Sequence, residues 1–434
     1  MLSKVTDKQR YWALTVSTLA FTVCFAAWTI FSIIGIKIKQ ELGLSNTEFA
    51  FLVSTPILTG SLSRLFLGIW TDQFGGRVIF CIVMIISGVS TWLLTSADTY
   101  YGYLFAALGI GLAGGSFAVG VAYVSKWFES NQQGTALGIF GMGNVGAAIT
   151  NFAAPLLLMV MEWRGVAQCY SIILIVAGII FYLITKDDPT IAKRKKDGGK
   201  RPSTLHELEP LKKIQVWRFS LYYFFVFGAF VALALWLPKY YMQVYNLPVT
   251  TAGMLAACYA LPGSVFRAFG GWLSDKIGAR SVMYWTFIVS IIVCFILSYP
   301  STDYIVHGIE GDIKFSLSIG LKFFVLLTVI LGFVMSLGKA AVYKHIPVYY
   351  PDNVGAVGGV VGLVGGLGGF CLPIIFGRMQ DITNIASTCF MVLFAIISVA
   401  LIWMHVSIQQ LNRRHHPDIA KRHYFPELDK NGER

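Results

Sequence analysis

Charge is what this sequence has least of. Only 13% of its 434 residues are Asp, Glu, Lys or Arg, while 56% are apolar; soluble domains carry roughly 25% charged residues. No acidic residue falls in the middle of any long apolar run. The runs therefore offer no paired carboxylates, and with no nucleophile or metal cluster among them either, an enzyme is not expected. No G-x-x-x-x-G-K-[ST] loop is present, which argues against ATP hydrolysis. After MLSKVTDKQR the first apolar run has no A-x-A-like cleavage site, so it reads as a retained span. All seven cysteines (Cys24, Cys81, Cys169, Cys258, Cys294, Cys371, Cys389) lie within apolar runs. They read as small packing residues, and neither a metal site nor a cofactor is expected.

What is present is hydrophobic length. Runs of about 18 or more residues, each enough to cross a ~30 Å hydrocarbon core, place twelve spans near 11–36, 49–70, 78–95, 101–125, 134–159, 165–185, 216–238, 250–273, 281–298, 319–342, 355–376 and 385–406. The net charge of +12 follows topology. With both termini cytoplasmic, seven of the 34 Lys and Arg fall in outward segments (Lys37, Lys39, Arg164, Lys239, Lys314, Lys322, Arg378) and three inside spans (Arg64, Arg267, Lys339); the rest are cytoplasmic. That bias argues against nucleic acid as the partner. The expected architecture is an all-α membrane protein with two six-helix bundles related by a pseudo-two-fold axis. Residues 1–185 form the N-terminal bundle, 186–215 a basic cytoplasmic linker, 216–406 the C-terminal bundle and 407–434 a cytoplasmic tail. The outward loop from about Tyr299 to Ser318 shows nothing that resembles a folded domain.

One stretch of eighteen residues occurs twice. Gly60 to Arg77 reads GSLSRLFLGIWTDQFGGR, and Gly263 to Arg280 reads GSVFRAFGGWLSDKIGAR, at a constant offset of 203. Each copy sets an arginine (Arg64, Arg267) in an apolar run and then a G-x-x-x-D-x-x-G-x-R turn. In that turn Asp72 and Arg77, and likewise Asp275 and Arg280, can pair or cap helix ends. Repeated halves of this kind hold their substrate at the interface between them, near the bilayer midplane. Arg64 lies eight residues before Asp72, about 12 Å deep at 1.5 Å per residue, beyond easy snorkelling. With no carboxylate facing it, a bound anion is the direct candidate partner for each arginine. The plainer alternative is that each bonds to backbone carbonyls and structural water.

Two spans are dense in glycine: the fifth, GTALGIFGMGNVGAAITNFAAP, and the eleventh, GAVGGVVGLVGGLGGFCLP. Most of these glycines serve close helix packing. Gly143-Asn144-x-Gly146, however, puts an amide donor among them, which suits an oxyanion.

GMGNVGAAITNFAAP and GVVGLVGGLGGFCLP resemble the two glycine-rich signatures of the nitrate/nitrite porter family within the major facilitator superfamily. The arginines of the second and eighth spans match the same family. GKAAVYKHIPVYYPDNVGAVGG resembles its proton-coupled uptake branch more than its exchanger branch. The resemblance implies a prokaryotic cell-membrane transporter that moves nitrate or nitrite, with protons as a coupling partner, the bilayer as its setting and a monomer as its working unit. A nitrate/nitrite antiporter, or a porter for another small monovalent anion, is the alternative. It also implies a substrate site in which Arg64 and Arg267 clamp the anion. Asn144 adds a neutral donor beside Gly143 and Gly365, and Tyr223, Phe227 and Phe117 contribute rings. The repeated loop resembles the superfamily motif that steadies one conformation, which makes Asp72, Arg77, Asp275 and Arg280 gate residues. Lys339, in LGKAAVYKH of the tenth span, is the remaining intramembrane group able to titrate, and so the candidate proton carrier; its alternative is a lysine snorkelling to the cytoplasmic face.

Overall fold

The structure is a computed structural model. It describes residues 6–128, 130–189, 191–192, 212–349 and 354–415, without the side chains of Ile69, Asp72, Pro347, Val348 and residues 130–134, 354–356 and 411–415. Eleven helices among the described residues are long and apolar enough to cross a membrane. In order they are Asp7–Leu42, Asn46–Gly68, Gly76–Leu94, Tyr100–Ser125, Thr135–Leu157, Trp163–Ile184, Ile214–Tyr245, Ala279–Ser298, Leu321–Ile346, Val357–Thr383 and Thr388–Gln410. A bent pair, Val249–Val265 and Arg267–Ile277, meets at 42° and forms the eighth of twelve spans. The protein is a multi-pass membrane protein. Most of the linker, residues 190 and 193–211, lies outside the described residues, as do residues 416–434 of the tail. The last helix runs on to His415, past the expected end of its span.

Local chemistry sets the element ends. Gly43, in the left-handed region (φ 63°), ends the first span, and Ser45 opens the second with a capping box to Glu48. The repeated turn is sharp in both copies because Gly75 and Gly278 adopt φ of 95° and 86°, where a Cβ would be strained.

The halves meet where the second span packs on the eleventh and the fifth on the eighth. At the end away from the Gly75 and Gly278 turns, this seam is tight. A Cβ on Gly377 would lie 2.6 Å from Asn46 O. One carboxylate oxygen of Asp381 accepts from Thr47 N (2.9 Å) and Thr47 Oγ1 (2.5 Å), so the eleventh span caps the start of the second from across the seam. Asn151 links Ser32 (2.8 Å) to the Ala234 carbonyl (3.1 Å) at the same level.

One expectation fails here. Lys239 is not in an outward loop: the seventh helix continues to Tyr245 and buries it, with Nζ donating to Gln380 Oε1 (2.8 Å) and lying 4.0 Å from the Trp236 ring centroid. A lysine's apolar stem and ammonium can be drawn inward by rings and an amide. The outward loop after the ninth span holds a two-stranded hairpin, short of a folded domain. Strands β1 (Thr302–Gly308) and β2 (Gly311–Leu317) form an antiparallel hairpin around Ile309-Glu310. Tyr304 and Val306 pair with Phe315 and Ile313 on one face, and Asp303 and His307 with Ser316 and Asp312 on the other. That two-residue alternation was readable in the sequence.

Candidate functional site

The seventh span carries a π-helical turn, Phe224–Ala229, which widens the backbone where Phe227 sits. Tyr223, just before it, stacks on Phe227 with centroids 5.1 Å apart and planes 8° from parallel. The fifth span is broken by a 3₁₀ turn, Met142–Val145, that holds Asn144. The eighth span breaks immediately before Arg267, downstream of Pro262 and the Gly263-Ser264 pair. Three of the helices that carry candidate site residues are thus irregular, and backbone irregularity inside a membrane is tolerated where it is buried in protein or lines a cavity.

Arg64 and Arg267 are each only 6% exposed. Both contact the Phe117 ring, its centroid 5.4 Å from the Arg64 guanidinium carbon and 5.6 Å from that of Arg267. Arg64 also lies over Phe227 (5.2 Å) and Trp28 (5.7 Å), and Arg267 over Tyr343 (5.7 Å). No described carboxylate forms an ion pair with either arginine. The two then diverge. Arg64 donates from Nη1 to Gly362 O (2.9 Å), across the seam, and from Nε to Gly114 O (3.4 Å). The plainer alternative therefore accounts for part of Arg64. Nη1 of Arg267 has no partner, and neither do the oxygen and nitrogen of the fully buried Asn144 amide. Buried polar groups left unpaired in this way cost about 1–3 kcal/mol each; an anion accepting from Arg267 Nη1 and Asn144 Nδ2 would remove the penalty for those two donors.

The glycines make room for this arrangement. A Cβ on Gly366 would lie 2.3 Å from Ser61 Oγ and 3.3 Å from Arg64 Nη1, and one on Gly141 3.0 Å from Arg267 Nη1. Gly365 and Gly143 pack against aromatic rings. A Cβ on Gly365 would meet the Tyr223 ring at 2.2 Å, and one on Gly143 the Phe21 ring at 2.4 Å. Tyr343 and Trp28 were not foreseen. Tyr343 meets Tyr223 edge-on at 5.0 Å and donates to Gly358 O (3.2 Å). Its position one turn after Lys339 in the same helix was the available signal; Trp28 had none.

The sequence model of the Major Facilitator Superfamily matches residues 16–373 and 249–423. The chain belongs to the Major Facilitator Superfamily. A relative in Thermus thermophilus, named "Probable nitrate/nitrite antiporter NarK1", is 41% identical over 92% of this chain and 91% of its own length. "Nitrite extrusion protein" of Bacillus subtilis is 29% identical over 90% of this chain and 94% of its own, and "Probable nitrate transporter NarT" of Staphylococcus epidermidis 28% identical over 90% and 95%. Within the superfamily the chain thus falls in the nitrate/nitrite porter family. The fold matches a solved bacterial homolog of the human lysosomal transporter Spinster, inward-facing and occupied, with a TM-score of 0.71 at 15% identity, over 93% of this chain and 98% of that one.

This major facilitator disposes its repeated turn asymmetrically. Arg77 donates to Tyr182 O (2.9 Å) and stacks on the Tyr182 ring (4.3 Å). Asp275 pairs with Lys344, and Arg280 donates to the Tyr349 hydroxyl. The side chain of Asp72 lies outside the described residues. Lys339 is fully buried, with Nζ 2.5 Å from Gly263 O, and does not reach the membrane face by snorkelling.

Proposed function

We propose that this protein moves nitrate or nitrite across the cytoplasmic membrane by alternating access. The observation that carries the reading is a pair of buried guanidiniums, without a carboxylate partner among the described residues, that share contact with one phenylalanine ring at the seam of the halves. A planar monovalent oxyanion can accept paired N–H bonds in its plane while rings cover its faces. Unfilled Arg267 Nη1 and the Asn144 amide are the donors that such an anion would satisfy. The names of the relatives point to the same two ions.

In the proposed cycle the two positive charges repel when the site is empty, and an anion between them lets the halves close. The anion shifts the equilibrium only through its differential affinity for the two states. Asp72, Arg77, Asp275 and Arg280, in the repeated loops, act as gate residues that steady one conformation. Both termini, the linker at 186–215 and the tail at 407–434 lie on the cytoplasmic side, and one chain in the bilayer is the working unit, with bundles at 1–185 and 216–406.

Coupling has two readings. Proton symport is supported by the resemblance of the stretch Gly338–Gly359 to the proton-coupled branch and by the buried Lys339. Nitrate/nitrite exchange is favoured by the name of the 41% identical relative. Proteoliposomes containing only this protein, with pH, voltage and internal nitrite set independently, separate them. Symport gives nitrate accumulation on an inward proton gradient without internal nitrite. Exchange gives uptake that requires internal nitrite and ignores pH. Uptake of neither ion under any condition refutes the transport reading.

A further inference from the structure

The contacts of Lys339 converge on one peptide group. Its Nζ donates to the carbonyl of Gly263 at 2.5 Å and lies 3.4 Å from the centroid of the Phe230 ring. That same ring occupies the space beside Gly263, where a Cβ would lie 2.3 Å from Phe230 Cε2. Gly263 is therefore gripped from both sides. In an unbroken helix its carbonyl would accept from the N–H of Arg267, four residues on. The eighth span is instead bent by 42° between Val265 and Arg267. Backbone groups freed by such a break inside a membrane are satisfied by side chains of neighbouring helices, and Lys339 is the side chain in place. One turn further along the same face of the tenth span, Tyr343 lies against the Arg267 guanidinium.

The repeat supplies an internal comparison. A Cβ on Gly111 would strike Pro56 O at 2.5 Å, and one on Gly332 would strike Tyr259 O at 2.4 Å. Pro56 and Tyr259 are separated by the same 203 residues as the two copies of the repeat, so these two helix crossings correspond. Seven residues beyond each glycine stand Ala118 and Lys339. The half with alanine has an unbroken helix through its arginine, Asn46–Phe74. The half with lysine has the bend.

We infer that Lys339 is a positioning residue: it braces the break in the eighth span and so aims Arg267 into the site. The inference rests on the reading of Arg267 as an anion ligand. It holds whether or not Lys339 also carries a proton, because ammonium and neutral amine both donate to a carbonyl.

The test uses nitrate affinity together with the bend itself, read as the spin-label distance between positions Thr250 and Lys276 in a cysteine-depleted chain. Lys339→Met should weaken nitrate binding about tenfold or more, as expected for a charge-assisted hydrogen bond, and should shift the label distance. Arg267→Lys should lose binding and leave the distance alone. If Lys339→Met does not assemble, Lys339→Gln takes its place. Its amide still donates, so it should hold the wild-type distance with a smaller loss of affinity, and a displaced distance there overturns the brace. So does Lys339→Met with wild-type affinity, or with weakened affinity and an unmoved distance, which would make its effect one of charge alone. Wild-type nitrate affinity in Arg267→Lys would instead remove the reading of the site on which the brace depends.

Discussion

Arg64→Lys separates the charge of the site from its geometry. A guanidinium has five N–H donors in a fixed fork. In the structure Nη1 and Nε each give a bond, to Gly362 and Gly114, which leaves the remaining donors for a ligand. Lysine keeps the positive charge and can restore one of those carbonyl bonds through Nζ. It cannot also present two parallel donors to a planar anion, because its three N–H bonds diverge from one atom. The loss is therefore one charge-assisted hydrogen bond, about 1.5–3 kcal/mol, which converts to nitrate binding weaker by about 10- to 150-fold. Fold stability should change little, since Phe117, Phe227 and Trp28 still surround a cation. Calorimetry on the detergent-solubilised variant gives the affinity, a thermal melt confirms folding, and initial uptake rates in proteoliposomes give transport. A folded Arg64→Lys protein whose nitrate Kd lies within about threefold of wild type would refute the argument, since then neither geometry nor the fork contributes.

Asn144→Leu should melt no lower than wild type, because both amide atoms are unpaired without ligand, yet bind nitrate about tenfold more weakly; a destabilised variant with full affinity would assign Asn144 to packing. Asp381→Ala removes both bonds to Thr47 at the closed end of the seam. That change should cost the closed state about 1–3 kcal/mol and lengthen the spin-label distance between Gln40 and Val244; an unchanged distribution would remove Asp381 from the latch. Sulfate, tetrahedral and divalent, should compete with nitrate far more weakly than nitrite does in equilibrium binding, and the reverse order would point to a different anion.

Some of this was legible in the chain because the signals are local. A span declares itself by hydrophobic length, and the duplicated turn by its glycines, which need φ above zero wherever the helix stops so abruptly. Arg64 and Arg267 stood out because a cation in hydrocarbon is costly and no carboxylate was available nearby. Asn144 stood out as an amide among glycines. The family likeness added Tyr223, Phe227 and Phe117, which the contacts then place against one another or against the arginines. Other features depended on contacts between residues far apart in sequence, which hydrophobic pattern does not encode. Only packing shows that Gly362, almost 300 residues away, gives Arg64 a carbonyl, that Gly365 lies under Tyr223, or that Lys239 turns inward to Trp236 and Gln380. The copies of the repeat share eight of eighteen positions, the arginine among them, yet one helix runs straight and the other bends. Pro262, where the first copy has Thr59, marks the bend locally, but only packing shows that Lys339 of the tenth span donates to the Gly263 carbonyl there.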